Sequence, residues 1–294
     1  MAPESRSAPG RRFLTGLIGA PIAHSASPAM HEQAADALGF RCHYHLIELA
    51  GAKSAELRAL LDGIRRTGFA GVNVTFPYKE AVVPLLDELS PAARAIGAVN
   101  TVVVRENRLV GYNTDATGFE RAIRPLVEAS GRGPVALIGA GGVGKAIAHA
   151  LARLGVAEIS LFDTDRAKAA QIAAQLQGGQ SIRVADSVED ALRRVVGVVN
   201  GTPIGMLPDL GTPVPDALLH RDIWVADAVY TPLWTPLLTA ARARGAAIMT
   251  GRELAIHQAA DAFELFTGIK PSIADLGNTF DAVMAKRYGA VPKA

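Results

Sequence analysis

Lys79 and Asp115 are the residues whose side chains best suit proton transfer. Lys79 ends the segment 73–79 (NVTFPYK), and Asp115 ends the segment 111–115 (GYNTD). A cation beside a carboxylate lowers the pKa of that carboxylate, while burial opposes the charging of either group, so an Asp near a Lys at a cofactor cleft gives an acid/base pair. Each residue also has a simpler interpretation: Lys79 as a solvated surface charge, and Asp115 as the N-cap of the next helix.

A glycine-rich segment at 139–144 (GAGGVG) has the spacing of a dinucleotide-binding loop. It follows a short apolar strand at 135–138 and precedes a helix-forming run. Gly139 suits a tight turn, Gly141 lets the backbone approach a pyrophosphate, and Gly144 lets the helix pack closely on the strand. The helix N-terminus then faces the anion, so this segment predicts dinucleotide binding.

Asp163 stands at the end of a second apolar strand, 158–162, about twenty residues past the glycines. In such folds an acid at this position accepts hydrogen bonds from a ribose. Strand, glycine loop, helix, second strand and acid therefore stand in the order of a Rossmann-type unit.

Ser25 and Ser27 present two hydroxyls between a strand and a helix start. Hydroxyls beside the free N–H groups of a helix N-terminus can hold a carboxylate. The simpler interpretation is that Ser27 is only the N-cap, with Pro28 at the first helical position.

Polar residues also follow two apolar strands in the first part of the chain. Val72 and Val74 predict the buried face of a strand, so Asn73 and Thr75 emerge at its carboxyl end, where open α/β sheets bind ligands. Asn100 likewise adjoins an apolar strand.

Alternating strands and helices with short Gly/Pro turns predict parallel α/β units that position these residues. In the first part the pattern predicts strands at 14–19, 42–49 and 71–75, helices at 27–38, 54–66 and 84–96, and a hairpin of 100–104 with 108–112. After a helix at 117–130, further core strands are predicted at 195–199, 224–227 and 246–249, followed by a helix at 252–267.

The fold class is therefore α/β with two domains, and the C-terminal helix packs back on the first. We predict a flexible tail at 1–12, a substrate-binding catalytic domain at 13–118 plus 253–294, and a dinucleotide-binding Rossmann domain at 119–252.

The composition excludes several classes of function. With 294 residues, 49% hydrophobic content and a net charge of +2, the chain suits two cores and gives no reason to expect a nucleic-acid or membrane partner. Cys42 is the single cysteine, which excludes an internal disulfide and favours a cytoplasmic location. His43 and His45 share a strand face but lack further ligands, so no metal is expected.

Together the motifs resemble the shikimate dehydrogenase family over about Leu14 to Gly268. The motifs that carry the resemblance are HSxSP at 24–28, NVTxPxK at 73–79, GAVNT at 97–101, NTD at 113–115, GAGGxG at 139–144, NxTPxGM at 200–206 and QAxxAF at 258–263. The resemblance implies that the chain interconverts 3-dehydroshikimate and shikimate, or oxidises quinate, with a nicotinamide cofactor.

The resemblance also implies roles for individual residues. Lys79 and Asp115 would form the catalytic pair. The residues implied to bind the substrate are Ser25, Ser27, Thr75, Asn100, Tyr230 and Gln258. The residues implied to contact the cofactor are Gly139, Ala140, Gly141, Gly142, Val143, Gly144, Asp163, Thr202, Met206, Ala228 and Gly251.

The cofactor loop departs from the common biosynthetic members, which usually carry Asn-Arg-Thr after the second strand. Here Asp163 and Asp165 flank a threonine, and a carboxylate suits a free ribose hydroxyl but repels a 2′-phosphate. We expect NAD, as in the NAD-dependent quinate/shikimate dehydrogenase branch, with Arg166 close enough to offset part of the repulsion. The alternatives are a biosynthetic NADP-dependent shikimate dehydrogenase and a non-catalytic ligand sensor of the same fold. The expected partner is a small molecule, and the expected assembly is a monomer or homodimer.

Overall fold

Strands and helices alternate along the chain in a computed structural model that describes residues 11–176, 179 and 181–289. The strands are β1 (Arg12–Gly19), β2 (Arg41–Glu48), β3 (Gly71–Val74), β4 (Glu88–Leu89), β5 (Thr101–Arg105), β6 (Arg108–Tyr112), β7 (Val135–Ile138), β8 (Ile159–Phe162), β9 (Ile182–Val184), β10 (Gly197–Asn200), β11 (Trp224–Asp227) and β12 (Ala247–Met249).

The helices connect these strands and close the chain. They are α1 (Ser27–Ala37), α2 (Ser54–Arg66), α3 (Pro91–Ile96), α4 (Thr114–Ala129), α5 (Gly142–Leu154), α6 (Arg166–Leu176), α7 (Val188–Ala191), α8 (Pro236–Ala243), α9 (Gly251–Thr267) and α10 (Ile273–Tyr288). The α/β fold class predicted from the sequence is confirmed.

The first six strands form one mixed sheet in the order β2-β1-β3-β5-β6-β4. β1 runs parallel to β2 and β3, as the alternating pattern predicts, but β5 runs antiparallel to both β3 and β6. The β5–β6 hairpin turns at Glu106 and Asn107, whose φ angles are 48° and 61°. The predicted hairpin is thus confirmed, and it is the element that makes the sheet mixed.

The helix predicted at 84–96 is wrong in its first half. That segment contains a short 3₁₀ turn and β4, and only α3 is α-helical. Pro91 begins α3, and the Ser90 side chain accepts the backbone N–H of Ala93. A proline disfavours helical backbone at the residue before it, and Ser90 has a ψ of 154°, which is extended backbone, so the helix begins only after this residue.

The last six strands form a parallel sheet in the order β12-β11-β10-β7-β8-β9. The strand order reverses between β7 and β10, which lie side by side. In open parallel sheets this reversal leaves a crevice at the carboxyl ends of the strands, where ligands bind. β7 leads directly into the glycine-rich segment, so the glycines stand at this reversal.

The C-terminal helices return to the first sheet, as predicted. Phe263 of α9 and Phe280 of α10 share one buried cluster with Met30 of α1. Within the described ranges, no helix has the length and apolar content needed to cross a membrane.

The domain limits proposed from the sequence stay predictions. β1 begins at Arg12, inside the proposed tail at 1–12, and residues 1–10 lie outside the described part of the chain. The limits between 118 and 119 and between 252 and 253 both fall inside helices, α4 and α9.

Candidate active site

The Lys79 and Asp115 side chains form a sheltered ion pair. Lys79 Nζ donates to Asp115 Oδ2 at 2.6 Å, and the two side chains are 14% and 9% exposed. Asp115 lies in the first turn of α4, whose N-cap is Asn113; the Asn113 side chain accepts the backbone N–H of Ala116 at 3.1 Å. The interpretations of Lys79 as a surface charge and of Asp115 as an N-cap are therefore both wrong.

The glycine-rich segment forms a tight turn beside Lys79. Gly139 has a φ of 105°, and a Cβ built on Gly144 would lie 2.1 Å from the carbonyl oxygen of Gly139. A Cβ on Gly141 would meet open space. A Cβ on Gly142 would lie 3.4 Å from Lys79 Cβ, so the start of α5 adjoins the ion pair.

The first turn of α5 has N–H groups that no capping side chain uses. Its N-cap, Gly141, makes no side-chain capping hydrogen bond. Val143 is partly buried against the core of the second sheet. Helix N-termini with free N–H groups attract anions, so the turn suits a pyrophosphate.

Asp163 braces the glycine loop from the end of β8. Its Oδ2 accepts the backbone N–H of Ala140 at 2.6 Å, and its Oδ1 accepts that of Asp165 at 2.8 Å. The carboxylate remains partly exposed, and each of its oxygens has a further lone pair for a ligand hydroxyl.

Ser25 and Ser27 each meet a tyrosine. Ser25 lies beside the Tyr230 hydroxyl, and Ser27 lies beside that of Tyr44. Burial raises the pKa of both tyrosine hydroxyls, and these serine contacts act in the opposite direction. The N-cap of α1 is Ala26, without a side-chain capping bond, so the interpretation of Ser27 as an N-cap is wrong.

Asn100 is held in a buried hydrogen-bond network. The backbone N–H of Thr114 donates to Asn100 Oδ1 at 2.7 Å, and Asn100 Nδ2 donates to Thr114 Oγ1 at 2.9 Å. Asn73 Nδ2 donates to Thr101 Oγ1 at 2.9 Å, and the Tyr44 hydroxyl donates to Asn73 Oδ1 at 2.9 Å. Thr101 Oγ1 in turn donates to Asn100 Oδ1 at 3.1 Å. A continuous series of hydrogen bonds therefore runs from Tyr44 to Thr114, the residue before Asp115.

Thr75 and Gln258 approach this region from β3 and α9. The backbone N–H of Thr75 donates to Ile18 O at 2.9 Å, which leaves its partly buried side chain at the carboxyl end of β3. Gln258 Nε2 donates to Ala255 O at 2.9 Å. A Cβ built on Gly118 of α4 would lie 2.7 Å from the backbone nitrogen of Gln258, so the two helices touch there.

The carboxyl ends of the second sheet gather the remaining residues proposed to contact a cofactor. Asn200 Oδ1 accepts the Thr202 hydroxyl at 2.7 Å, and Asn200 O accepts the backbone N–H of Ala228 at 3.0 Å. A Cβ on Gly251 would lie 2.9 Å from Ala228 O, so this position excludes a side chain. Met206 is 40% exposed in the loop after β10.

Asp227 is a buried carboxyl at the end of β11. Burial raises its pKa to about 6, although three donors partly oppose that shift. Asn200 Nδ2 and the backbone N–H of Val229 donate to Oδ1, each at 2.9 Å, and the Thr235 hydroxyl donates to Oδ2 at 2.7 Å. Asp227 thus fixes the loop that leads to Tyr230.

Several residues around the site were not identified from the sequence. Tyr44 is one; because His43 and His45 share one face of β2, the residue between them faces the other way, which was a usable signal. Others are Lys145, Glu80 and Arg287, and no pattern in the sequence marks these three residues as part of the site. In the part of the chain that is described, no three His, Cys, Asp or Glu residues are grouped to hold a metal.

Two family models match the chain. The family model of the shikimate dehydrogenase substrate binding domain matches residues 17–102, and that of the ThiF family matches residues 117–182. The second match spans β7, α5 and β8, with the glycine-rich turn between the first two.

Individual relatives match almost their whole length. The chain is 44% identical over 276 residues to a quinate/shikimate dehydrogenase (NAD(+)) of Corynebacterium efficiens, covering 91% of this chain and 97% of that protein. It is 42% identical over 266 residues to a shikimate dehydrogenase (NADP(+)) of Streptomyces avermitilis, covering 88% and 91%. A solved structure of quinate dehydrogenase from Corynebacterium glutamicum in complex with NAD superposes with a TM-score of 0.84 at 40% identity, covering 92% and 99%. With this similarity along both chains, the protein belongs to the shikimate dehydrogenase family.

Proposed function

We propose that the chain is an NAD-dependent dehydrogenase that interconverts shikimate with 3-dehydroshikimate and quinate with 3-dehydroquinate. Its family membership supports shikimate or quinate dehydrogenase activity with NAD or NADP. The observation that carries the proposal is the Lys79–Asp115 pair, sheltered from solvent and adjoining Gly142 at the start of α5. A proton-transfer pair and a dinucleotide loop in contact are what alcohol oxidation requires.

The residues of the second sheet fit a nicotinamide dinucleotide. Gly141 leaves space at its Cβ position, and α5 begins without a capping side chain, which suits the pyrophosphate. Asp163 would accept the ribose hydroxyls while it continues to brace Ala140. The nicotinamide end would meet Thr202, Met206, Ala228 and Gly251. When bound, the dinucleotide supplies the hydride acceptor in alcohol oxidation and the hydride donor in ketone reduction.

Charge around Asp163 supports NAD over NADP. A 2′-phosphate carries about two negative charges and would be repelled by the Asp163 carboxylate. Arg166 could offset this, but its Nη1 lies 2.5 Å from Asp186 Oδ1, so a neighbouring acid already pairs with it.

The residues proposed to bind the substrate would hold its carboxylate and its ring hydroxyls. Ser25 and Ser27 would donate to the carboxylate, beside the Tyr230 hydroxyl. Thr75, Asn100 and Gln258 would hydrogen-bond the ring hydroxyls. In oxidation the reacting hydroxyl gives its proton to the Lys79–Asp115 pair as hydride leaves carbon; in reduction Lys79 Nζ returns a proton to the carbonyl oxygen.

Initial rates with shikimate and quinate, each with NAD and NADP, test the proposal. We expect turnover of both substrates and a higher kcat/KM with NAD. A higher kcat/KM with NADP would favour a biosynthetic NADP enzyme, and ligand binding without any turnover would favour a sensor. The Asp163→Asn variant removes the charge but keeps an acceptor for Ala140, so it should narrow the preference for NAD. Asp186→Asn removes the acid that pairs with Arg166 and leaves Asp163 unchanged, so it should also reduce the ratio of kcat/KM with NAD to kcat/KM with NADP.

A further inference from the structure

Arg287 reaches from the last turn of α10 to the loop that carries Ser25. Its Nη1 donates to the carbonyl oxygen of His24, and its Nη2 donates to that of Ser25 at 3.4 Å. The planar guanidinium therefore bridges two successive carbonyls, which a lysine cannot do with the same geometry. Arg287 fixes the backbone from which the Ser25 hydroxyl projects.

The charge of Arg287 is also felt inside the site. Burial raises the pKa of Tyr230, and the Arg287 charge is the largest effect that opposes this rise. Among residues 11–176, 179 and 181–289, no carboxylate lies within ion-pair distance of Arg287. Its positive charge is thus available to an anion beside Ser25 and Tyr230.

We propose that Arg287 is a positioning residue that makes the site selective for substrates bearing a carboxylate. It orients the loop of Ser25 and supplies a positive charge near the position of the substrate carboxylate. The inference rests on the proposed function, because it needs the substrate carboxylate to lie at Ser25 and Ser27. Arg287 lies outside the proton-transfer pair, so its effect belongs to binding rather than to the chemical step.

Two substrates separate this role from a structural one: shikimate, and its methyl ester, which keeps the ring hydroxyls but lacks the negative charge. The measurement is kcat/KM for each, with NAD at saturation, in wild type, Arg287→Gln and Arg287→Lys. Lys286→Gln is the matched control, because Lys286 is an exposed cation in the same turn of α10. Each variant is also checked by thermal unfolding.

For Arg287→Gln we expect the ratio of kcat/KM for shikimate over the ester to fall about tenfold, through KM rather than kcat. The ratio for Arg287→Lys should lie between those of Arg287→Gln and wild type, because a lysine keeps the charge but loses the bridging geometry. Lys286→Gln should leave the ratio unchanged. Added salt should raise the shikimate KM of wild type more steeply than that of Arg287→Gln, since exposed charges are screened.

An unchanged ratio in Arg287→Gln would overturn the inference and leave the proposed function standing. An equal loss of kcat/KM for shikimate and for the ester in Arg287→Gln would also overturn the inference, because Arg287 would then support the loop without selecting for the substrate charge. If wild type turned over neither shikimate nor quinate with either cofactor, the proposed function would fail, and this inference with it.

Discussion

Lys145 Nζ lies 2.7 Å from Glu80 Oε2, and this ion pair joins the first turn of α5 to the residue after Lys79. The Lys145 side chain is 5% exposed and that of Glu80 is 50% exposed. Ala146 packs in the same region against Ile96 and Ala98. The start of α5 and the segment that carries Lys79 are therefore joined by an ion pair as well as by packing.

Glu80→Gln should lower the free energy of unfolding by about 1–2 kcal/mol, less than for a fully buried pair because Glu80 is half exposed. It leaves the buried Lys145 charge without its partner and loosens the contact beside Lys79. Urea unfolding measures the first effect, and the KM for the dinucleotide measures the second. The control is Glu88→Gln, which removes an exposed pair with Arg108 and should cost less than about 0.5 kcal/mol. Equal losses of unfolding free energy in Glu80→Gln and Glu88→Gln would mean that the burial of Lys145 does not strengthen its ion pair with Glu80.

Lys79→Ala should lower kcat by about 10²–10⁴ while the substrate KM changes little, because the proposed role is proton transfer in the transition state. Steady-state kinetics with shikimate and NAD measure both constants. Lys270→Ala, which removes an 81% exposed lysine, is the control and should match wild type. A change in KM alone would make Lys79 a substrate-binding residue only.

Gly118→Ala should destabilise the fold by about 1–3 kcal/mol, because the new methyl group would overlap backbone. The Cβ would lie 2.7 Å from the Gln258 nitrogen and 3.1 Å from its Cα, so α9 must shift and carry the Gln258 side chain with it. We expect a higher substrate KM besides the loss in unfolding free energy. Gly63→Ala in α2 meets nothing within 4 Å and should instead stabilise by about 0.5–1 kcal/mol. Similar effects of the two substitutions would contradict close contact between α4 and α9.

Asp227 should make the fold less stable as pH rises from about 4 to 6. Burial raises its folded pKa to about 6, from 3.8, so the native state holds the proton more tightly than the unfolded chain. The contribution of this proton to the free energy of unfolding is complete below the unfolded pKa and is lost as pH rises through the folded pKa. It amounts to about 3 kcal/mol.

The measurement is the unfolding free energy of wild type minus that of Asp227→Asn, by urea titration across this pH range. The difference should fall as pH rises and level off above about pH 7. A flat difference for Asp227→Asn would mean that the hydrogen bonds from Asn200, Val229 and Thr235 cancel the effect of burial.

Local patterns were enough to predict the cofactor unit. The turn at Gly139, the close packing at Gly144 and the position of Asp163 after β8 all follow from residues within one strand–helix–strand segment. Sequence periodicity and glycine spacing report such local geometry well. The same local information failed at 84–96, where apolar residues of helical spacing precede Pro91 and belong to β4 and a 3₁₀ turn.

Contacts between distant segments could not be predicted in the same way. Glu80 and Lys145 are 65 positions apart, and Arg287 and His24 are 263 apart. Nothing in a single sequence selects these pairs from the many other charged and polar residues, because their meeting depends on how the two sheets are placed. Residue types alone suggested Lys79 and Asp115 as an acid/base pair, and the family resemblance then implied that the two residues act together.

Helix α4 belongs to both halves of the molecule. At its start, Asp115 pairs with Lys79 and Ala116 packs against Ile96 and Ala98, whereas Phe119 and Ile123 share the buried cluster of β7 and α5. A helix of 16 residues is a stiff rod about 24 Å long. The Asp115 carboxylate and the residues that pack against β7 therefore stand on one stiff helix. The distance from this carboxylate to the second sheet is set within that helix and depends on no loop.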